Sequence, residues 1–163
     1  MTGIYLLLGS NLGHKQENLS NACLKINRLI GNIEQASSIY YCEPWGMSQA
    51  PAFLNQALSI STRYNPTELL DKLLEIEIEM GRQRSQGYQN RTIDIDILYY
   101  QHIICDKPRL KIPHPRIQER RFALEPLAEL ASDFVHPVLN LTNKELLDQC
   151  EDPLSVSKVG SRE

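Results

Sequence analysis

The sequence predicts an α+β fold built on an antiparallel sheet, and three observations carry that prediction. Two segments repeat apolar residues at helical spacing, four others are short runs of strand-forming residues, and they follow one another as β-α-β-β-α-β. That order is the split βαβ, or ferredoxin-like, pattern, which expects helices on one face of the sheet. The chain's 163 residues fit a single domain. Its core is expected over about residues 3–140, followed by a C-terminal helical extension and a polar, frayed end over about 153–163.

The first strand is the apolar run at 3–8, ending in the turn signal Gly-Ser-Asn. Leu19, Ala22, Cys23, Ile26 and Ile30 then mark one face of a helix, with Gly31 as its C-terminal stop. Residues 33–41 hold β-branched and aromatic side chains and read as the second strand. The proline-containing stretch 42–52 is a loop. Residues 53–64 form the third strand, with Phe53, Asn55, Ala57, Ser59 and Ser61 on one face and Leu54, Gln56, Leu58, Ile60 and Thr62 on the other. Asn65-Pro66-Thr67-Glu68 carries a capping-box signature and opens a helix that runs to about Met80, before Gly81. Residues 82–91 lack apolar periodicity and form a loop. Residues 92–100 are the fourth strand, and 103–105 a short edge strand. Pro115 starts a short helix through Phe122, and Pro126 starts another turn.

Composition narrows the function classes. The net charge of −3 does not favour nucleic acid or a membrane surface, which call for a basic excess. The opening MTGIYLLLGS has no basic n-region and only a short apolar run, so no secretory leader is expected. Cys23, Cys42, Cys105 and Cys150 form no C-x-x-C pair, which points to a reduced, cytoplasmic protein.

The chemistry concentrates at Ile93-Asp94-Ile95-Asp96-Ile97. Alternation sends both aspartates to one face and the isoleucines to the other. Two carboxylates about 7 Å apart along a strand can share hard cations. The same pattern also fits a half-exposed strand with a polar outer face. Against that stand the poor strand propensity of Asp and the absence of lysine on the strand at 53–64. Just upstream, Arg82, Arg84 and Arg91 lie in ten residues without an acid. Their planar forks match phosphate, although a solvated surface loop has the same composition. Ser85 and Gly87 let that loop move.

Glu77 falls beside Leu70 and Leu74, inside the apolar arc of its helix, and must be paired or hydrogen-bonded. It either pairs with an arginine at the core edge or serves the arginine loop or a nucleotide. His114, between two prolines, is a loop histidine that could donate to a phosphate, and Arg120 and Arg121 follow it. Trp45, Phe53 and Phe122, each also a candidate core aromatic, could join Asn55 in stacking and edge-bonding a flat heterocycle.

Jointly, the stretches LLLGSNLG, EPWG, FLNQAL, EIEIEMGRQR, RTIDIDIL and PHPRIQERRFALEPL resemble the 6-hydroxymethyl-7,8-dihydropterin pyrophosphokinases of folate biosynthesis. They keep that family's order and spacing from about residue 4 to residue 137. The resemblance implies a monomeric ferredoxin-like enzyme that moves pyrophosphate from ATP to the pterin and releases AMP. It places two magnesium ions on Asp94 and Asp96, and phosphate and reaction-centre contacts on Arg82 and Arg91. ATP contacts are implied for Glu77, Arg84, Tyr88, Ile97, His114 and Arg120. Cys42, Pro44, Trp45, Phe53, Asn55 and Phe122 are implied to contact the pterin. The chain departs from the family at Gly87-Tyr88-Gln89-Asn90-Arg91, where many relatives have Arg-Trp-Gly-Pro-Arg; Tyr88 stands in for the tryptophan and an arginine is missing. Phe53 replaces a tyrosine of some relatives, and Pro115 an aromatic of others.

Two rival readings stay open at this level. A nucleotidyltransferase also combines a Gly-Ser turn with D-x-D, although usually close together, whereas Gly9-Ser10 precedes Asp94 by more than eighty residues. A ferredoxin-like RNA-binding module would need basic, aromatic positions on its sheet, where this chain carries Asp94 and Asp96.

Overall fold

In a computed structural model, described here for residues 2–43, 51–81 and 92–160, the apolar N-terminal run becomes a strand buried on both faces, β1 (Ile4–Ser10). Helix α1 (Lys15–Leu29) follows. The predicted second strand is broken into β2 (Gly31–Ala36) and β3 (Tyr40–Cys42). At the break, the Ser37 hydroxyl accepts the Ala57 N–H at 2.9 Å, replacing a backbone ladder bond. Strand β4 (Phe53–Thr62) and helix α2 (Pro66–Glu79) come next, α2 opening with the capping box between Asn65 and Glu68. Then come β5 (Asp94–Tyr100), a hairpin of β6 (Cys105–Lys107) and β7 (Leu110–Ile112), and a 3-10 turn at Ile117–Glu119. Helices α3 (Arg121–Ala131) and α4 (Asn143–Gln149) and a final strand β8 (Val156–Lys158) complete the chain.

The main sheet runs β5-β1-β4-β3-β8, with β2 also on β4, and every pairing is antiparallel. Helices lie on both faces rather than the one expected. Leu19, Ala22 and Ile26 of α1 and Leu69, Leu73 and Ile76 of α2 pack with Leu6, Leu8, Leu58 and Ile95 on one side. Ala123, Leu124 and Leu127 of α3 and Leu146 of α4 pack with Tyr5, Leu7, Ala57 and Tyr99 on the other. The second layer is possible because β1 is apolar on both faces, so each face needs a cover.

Local expectations need further correction. Gly31 does not end α1 through a left-handed φ; it opens β2, and a Cβ there would sit 1.9 Å from the Ser61 carbonyl oxygen. Its reason is close backbone approach. Gly81, with φ +95°, is a left-handed stop after α2. Residue 105 belongs to the separate β6–β7 sheet, not to an edge strand at 103–105. Pro126 lies inside α3 rather than starting a turn. The expected fraying from 153 is not seen over Val156–Lys158, since β8 pairs with β3. Helix α4 falls in the expected C-terminal helical extension, and Thr142 and Glu145 form the capping box that opens it.

Candidate active site

Strand β5 presents Asp94 and Asp96, both half-buried, on the face opposite Ile93, Ile95 and Ile97, which are packed into the first core layer. The register slips between Tyr5↔Tyr99 and Leu6↔Ile97. Leu98 is thus an extra residue, and it ends the alternation just past the aspartates. Strand β5 lies at the sheet edge. There the Ile95 N–H, between the two aspartates, donates to Glu77 Oε2 at 2.7 Å. Glu77 is 2% exposed. The anomalous acid of α2 therefore anchors the strand that carries Asp94 and Asp96, an arrangement the sequence left undecided. Ile97 has its side chain in the core, 5% exposed. What it can offer a ligand is backbone, on the open edge shared with Ile95.

A row of residues crosses three strands. Asn55 of β4 faces Gly9 of β1, and Gly9 faces Asp94 of β5. At strand spacing, that separates the amide from the carboxylate by about 10 Å. Gly9 is the floor between them: a Cβ there would lie 2.8 Å from Asn55 Oδ1 and 3.5 Å from Phe53 Cδ1. Asn55 is buried, and its Nδ2 donates to Cys42 Sγ at 2.8 Å. Burial pushes the Cys42 thiol up to about 12, so it stays protonated. Phe53 shares the Asn55 face of β4 and is half-buried. The segment before it is tied to the Gly-Ser-Asn turn and α1: Asn11 Nδ2 donates to the Pro51 carbonyl at 3.3 Å, and Lys15 Nζ to that of Ala52 at 2.8 Å. The sequence marks Gly-Ser-Asn as a turn and as part of the stretch LLLGSNLG, but gives Gly9, Asn11 and Lys15 no role of their own at the site.

His114 approaches from the segment after β7, where its N–H donates to the Leu98 carbonyl at 3.0 Å. Burial lowers its pKa to about 4, reinforced by Arg120 and Arg116 and opposed by Asp94. The ring is thus neutral near pH 7. Its Nδ1 accepts the Arg116 N–H at 3.2 Å, which leaves the proton on Nε2 as a donor. The Arg120 guanidinium carbon lies 5.5 Å from the centre of the Phe122 ring, in the first turn of α3. His114, Arg120 and Asp94 are therefore electrostatic neighbours. Pro44, Trp45, Arg82, Arg84, Tyr88 and Arg91 lie outside the described residues.

The donor set fits magnesium. Among the described residues, no three His, Cys, Asp or Glu side chains cluster for a metal. Two carboxylates alone suit an ion that completes its shell with water and phosphate oxygens.

A sequence model of the family described as 7,8-dihydro-6-hydroxymethylpterin-pyrophosphokinase (HPPK) matches residues 5–132. The chain is 38% identical over 160 residues to the 2-amino-4-hydroxy-6-hydroxymethyldihydropteridine pyrophosphokinase of Methylorubrum extorquens, covering 98% of this chain and 99% of that protein. It is 37% identical over 143 residues to the folic acid synthesis protein FOL1 of Dictyostelium discoideum, covering 88% of this chain. It spans only 22% of that longer protein. The fold matches a Plasmodium falciparum HPPK-DHPS crystal structure with a TM-score of 0.71 at 18% identity, over 91% of this chain and 41% of that one. With most of its length matched, the chain belongs to the 7,8-dihydro-6-hydroxymethylpterin pyrophosphokinase family.

Proposed function

We propose that this chain transfers the β,γ-pyrophosphoryl group of ATP to the hydroxymethyl oxygen of 6-hydroxymethyl-7,8-dihydropterin, releasing AMP, as a step of folate synthesis. The observation that carries the proposal is the row Asn55–Gly9–Asp94 across β4, β1 and β5. It sets a pterin-edge amide and a cation-binding carboxylate on one face at a separation that suits a small substrate.

In this reading the pterin lies between Phe53 and Phe122, with Asn55 bonding its edge and the segment from Cys42 through Pro44 and Trp45 lining its rim. The pterin oxygen attacks the β-phosphorus in line as the bond to AMP breaks. Asp94 and Asp96 would hold two magnesium ions, which supply neutralisation of the triphosphate charge when bound. His114 donates from Nε2 to a phosphate oxygen without adding net charge, and Arg120 supplies positive charge beside it. Arg82, Arg84, Arg91 and Tyr88 complete the phosphate contacts. Glu77 serves the nucleotide through β5, which it holds by the Ile95 N–H, and the edge backbone at Ile97 meets the nucleotide. Catalysis is then mostly positioning and charge stabilisation. The ferredoxin-like frame, the monomeric state and a cytoplasmic setting belong to the same reading. The antiparallel order and four free cysteines support the first and last.

The test is product analysis with purified protein, ATP, magnesium and the pterin. AMP and the pterin pyrophosphate should form in equal amounts, and Asp96→Ala should lose roughly a hundredfold or more of kcat with an unchanged circular-dichroism spectrum. Release of free pyrophosphate would favour nucleotidyl transfer. Wild-type turnover by Asp96→Ala would remove the metal assignment.

A further inference from the structure

We propose that residues 150–159 form a strap that holds the two walls of the pterin site in register, with Asp152 as its positioning residue; this rests on the pyrophosphokinase reading above. One wall is the start of α3, which carries Phe122. The other is β3, which ends in Cys42 beside Asn55.

Helix α3 begins without a side-chain cap from its own N-cap residue, Arg120. The cap comes from far along the chain. Asp152 Oδ2 accepts the Arg121 N–H at 3.1 Å, while Oδ1 accepts the Leu154 N–H at 3.0 Å. Asp152 is 9% exposed, and its carboxylate sits where the helix dipole favours an anion. The Arg121 side chain returns the contact: Nε donates to the Asp152 carbonyl at 3.3 Å, and Nη2 to that of Cys150 at 2.9 Å.

The same segment then crosses to the second wall. Strand β8 pairs with β3 at Cys42↔Val156, Tyr41↔Ser157 and Tyr40↔Lys158. The Val159 N–H donates to the Ile39 carbonyl at 2.8 Å. Glu129 closes the circuit back to α3. Its carboxylate accepts the Tyr40 hydroxyl at 2.6 Å and the Ser38 N–H at 2.8 Å, and lies 3.8 Å from Lys158 Nζ. Glu129 and Phe122 are seven residues apart, nearly two full turns, so they share a face of α3. Holding Glu129 fixes the rotation of the helix, and with it the direction of the Phe122 ring. Strand β8 itself has no buried residue. Its bonds go to β3, and only the strap's two ends, Cys150 and Val159, pack against the core layers, which makes alignment the role of the segment between them.

The experiment measures two affinities and a melting temperature in wild type, Asp152→Ala, Asp152→Asn and Arg121→Met. The affinities are for a non-hydrolysable ATP analogue with magnesium, and for 6-hydroxymethyl-7,8-dihydropterin in its presence. Asp152→Ala should weaken pterin binding roughly tenfold, with the analogue's affinity within about twofold of wild type. Asp152→Asn, which keeps an acceptor for the Arg121 N–H, should restore most of the loss. Arg121→Met leaves the Asp152 cap in place, keeps the fold and should weaken pterin alone. Unchanged pterin affinity in the Asp152→Ala and Arg121→Met variants overturns the strap, as does parallel loss of both ligands with the melting temperature. A wild-type chain that makes no pterin pyrophosphate overturns the underlying reading as well.

Discussion

Gly9→Ala is the most discriminating substitution at the site, because it adds one methyl group to the floor between amide and carboxylate. Gly9 does not have a left-handed φ, so backbone strain contributes nothing. The added Cβ would lie 2.8 Å from Asn55 Oδ1, about half an ångström inside a normal carbon–oxygen contact. Asn55 cannot yield freely: it is 3% exposed and held to Cys42 Sγ at 2.8 Å. Overpacking of this kind costs about 1–3 kcal/mol, and the displaced amide loses a hydrogen bond worth about 1 kcal/mol. In the proposed reading Asn55 bonds the pterin edge. The KM for pterin should therefore rise roughly ten- to a hundredfold, while the KM for ATP stays within about twofold. Steady-state kinetics with each substrate varied will measure the split. The control is the same change in an Asn55→Ala background, where the methyl has room and should add little further loss. An unchanged pterin KM, or an equal added loss without the Asn55 amide, would refute the steric argument.

Other predictions follow the same geometry. Glu77→Ala strands the buried Ile95 N–H, costing about 1–3 kcal/mol and lowering Tm by roughly 3–10 °C; Glu77→Gln, which keeps an acceptor, should lose less in a thermal melt. For His114 the folded pKa, about 4, lies below the ordinary value near 6.5. The unfolded chain therefore binds more protons between those values, and this stability is present above 6.5 and lost as pH falls towards 4. Acid titration of the free protein should show that loss, smaller in His114→Gln, and the His114 NMR signals should titrate near 4. Gly31→Ala forces a Cβ onto the Ser61 carbonyl, 1.9 Å away. It should push β2 off β4 and cost on the order of 3 kcal/mol, read as an earlier urea midpoint.

Much of the site was legible because the signals were local. Strand alternation alone marks the aspartates of β5 as a pair on one face, and α2 declares its start through Asn65 and Glu68. Glu77 stood out from the helical stripe, yet its partner did not. That partner is a backbone N–H on an edge strand, and a backbone donor has no sequence signature. The same limit hid the role of Gly9, which depends on what stands across from it in β4.

Local periodicity, capping chemistry and the spacing of acids and arginines set the elements, the pair Asp94–Asp96 and the family resemblance, because each is a relation between near neighbours in the chain. Tertiary structure alone decided that helices cover both faces of the sheet, that Asn55, Gly9 and Asp94 form one row, and that the end of the chain returns to cap α3 and extend β3. Those are pairings between distant residues. They are fixed by strand register and by the need to bury every apolar face and satisfy every buried backbone group at once, a condition the whole molecule meets and no segment can state.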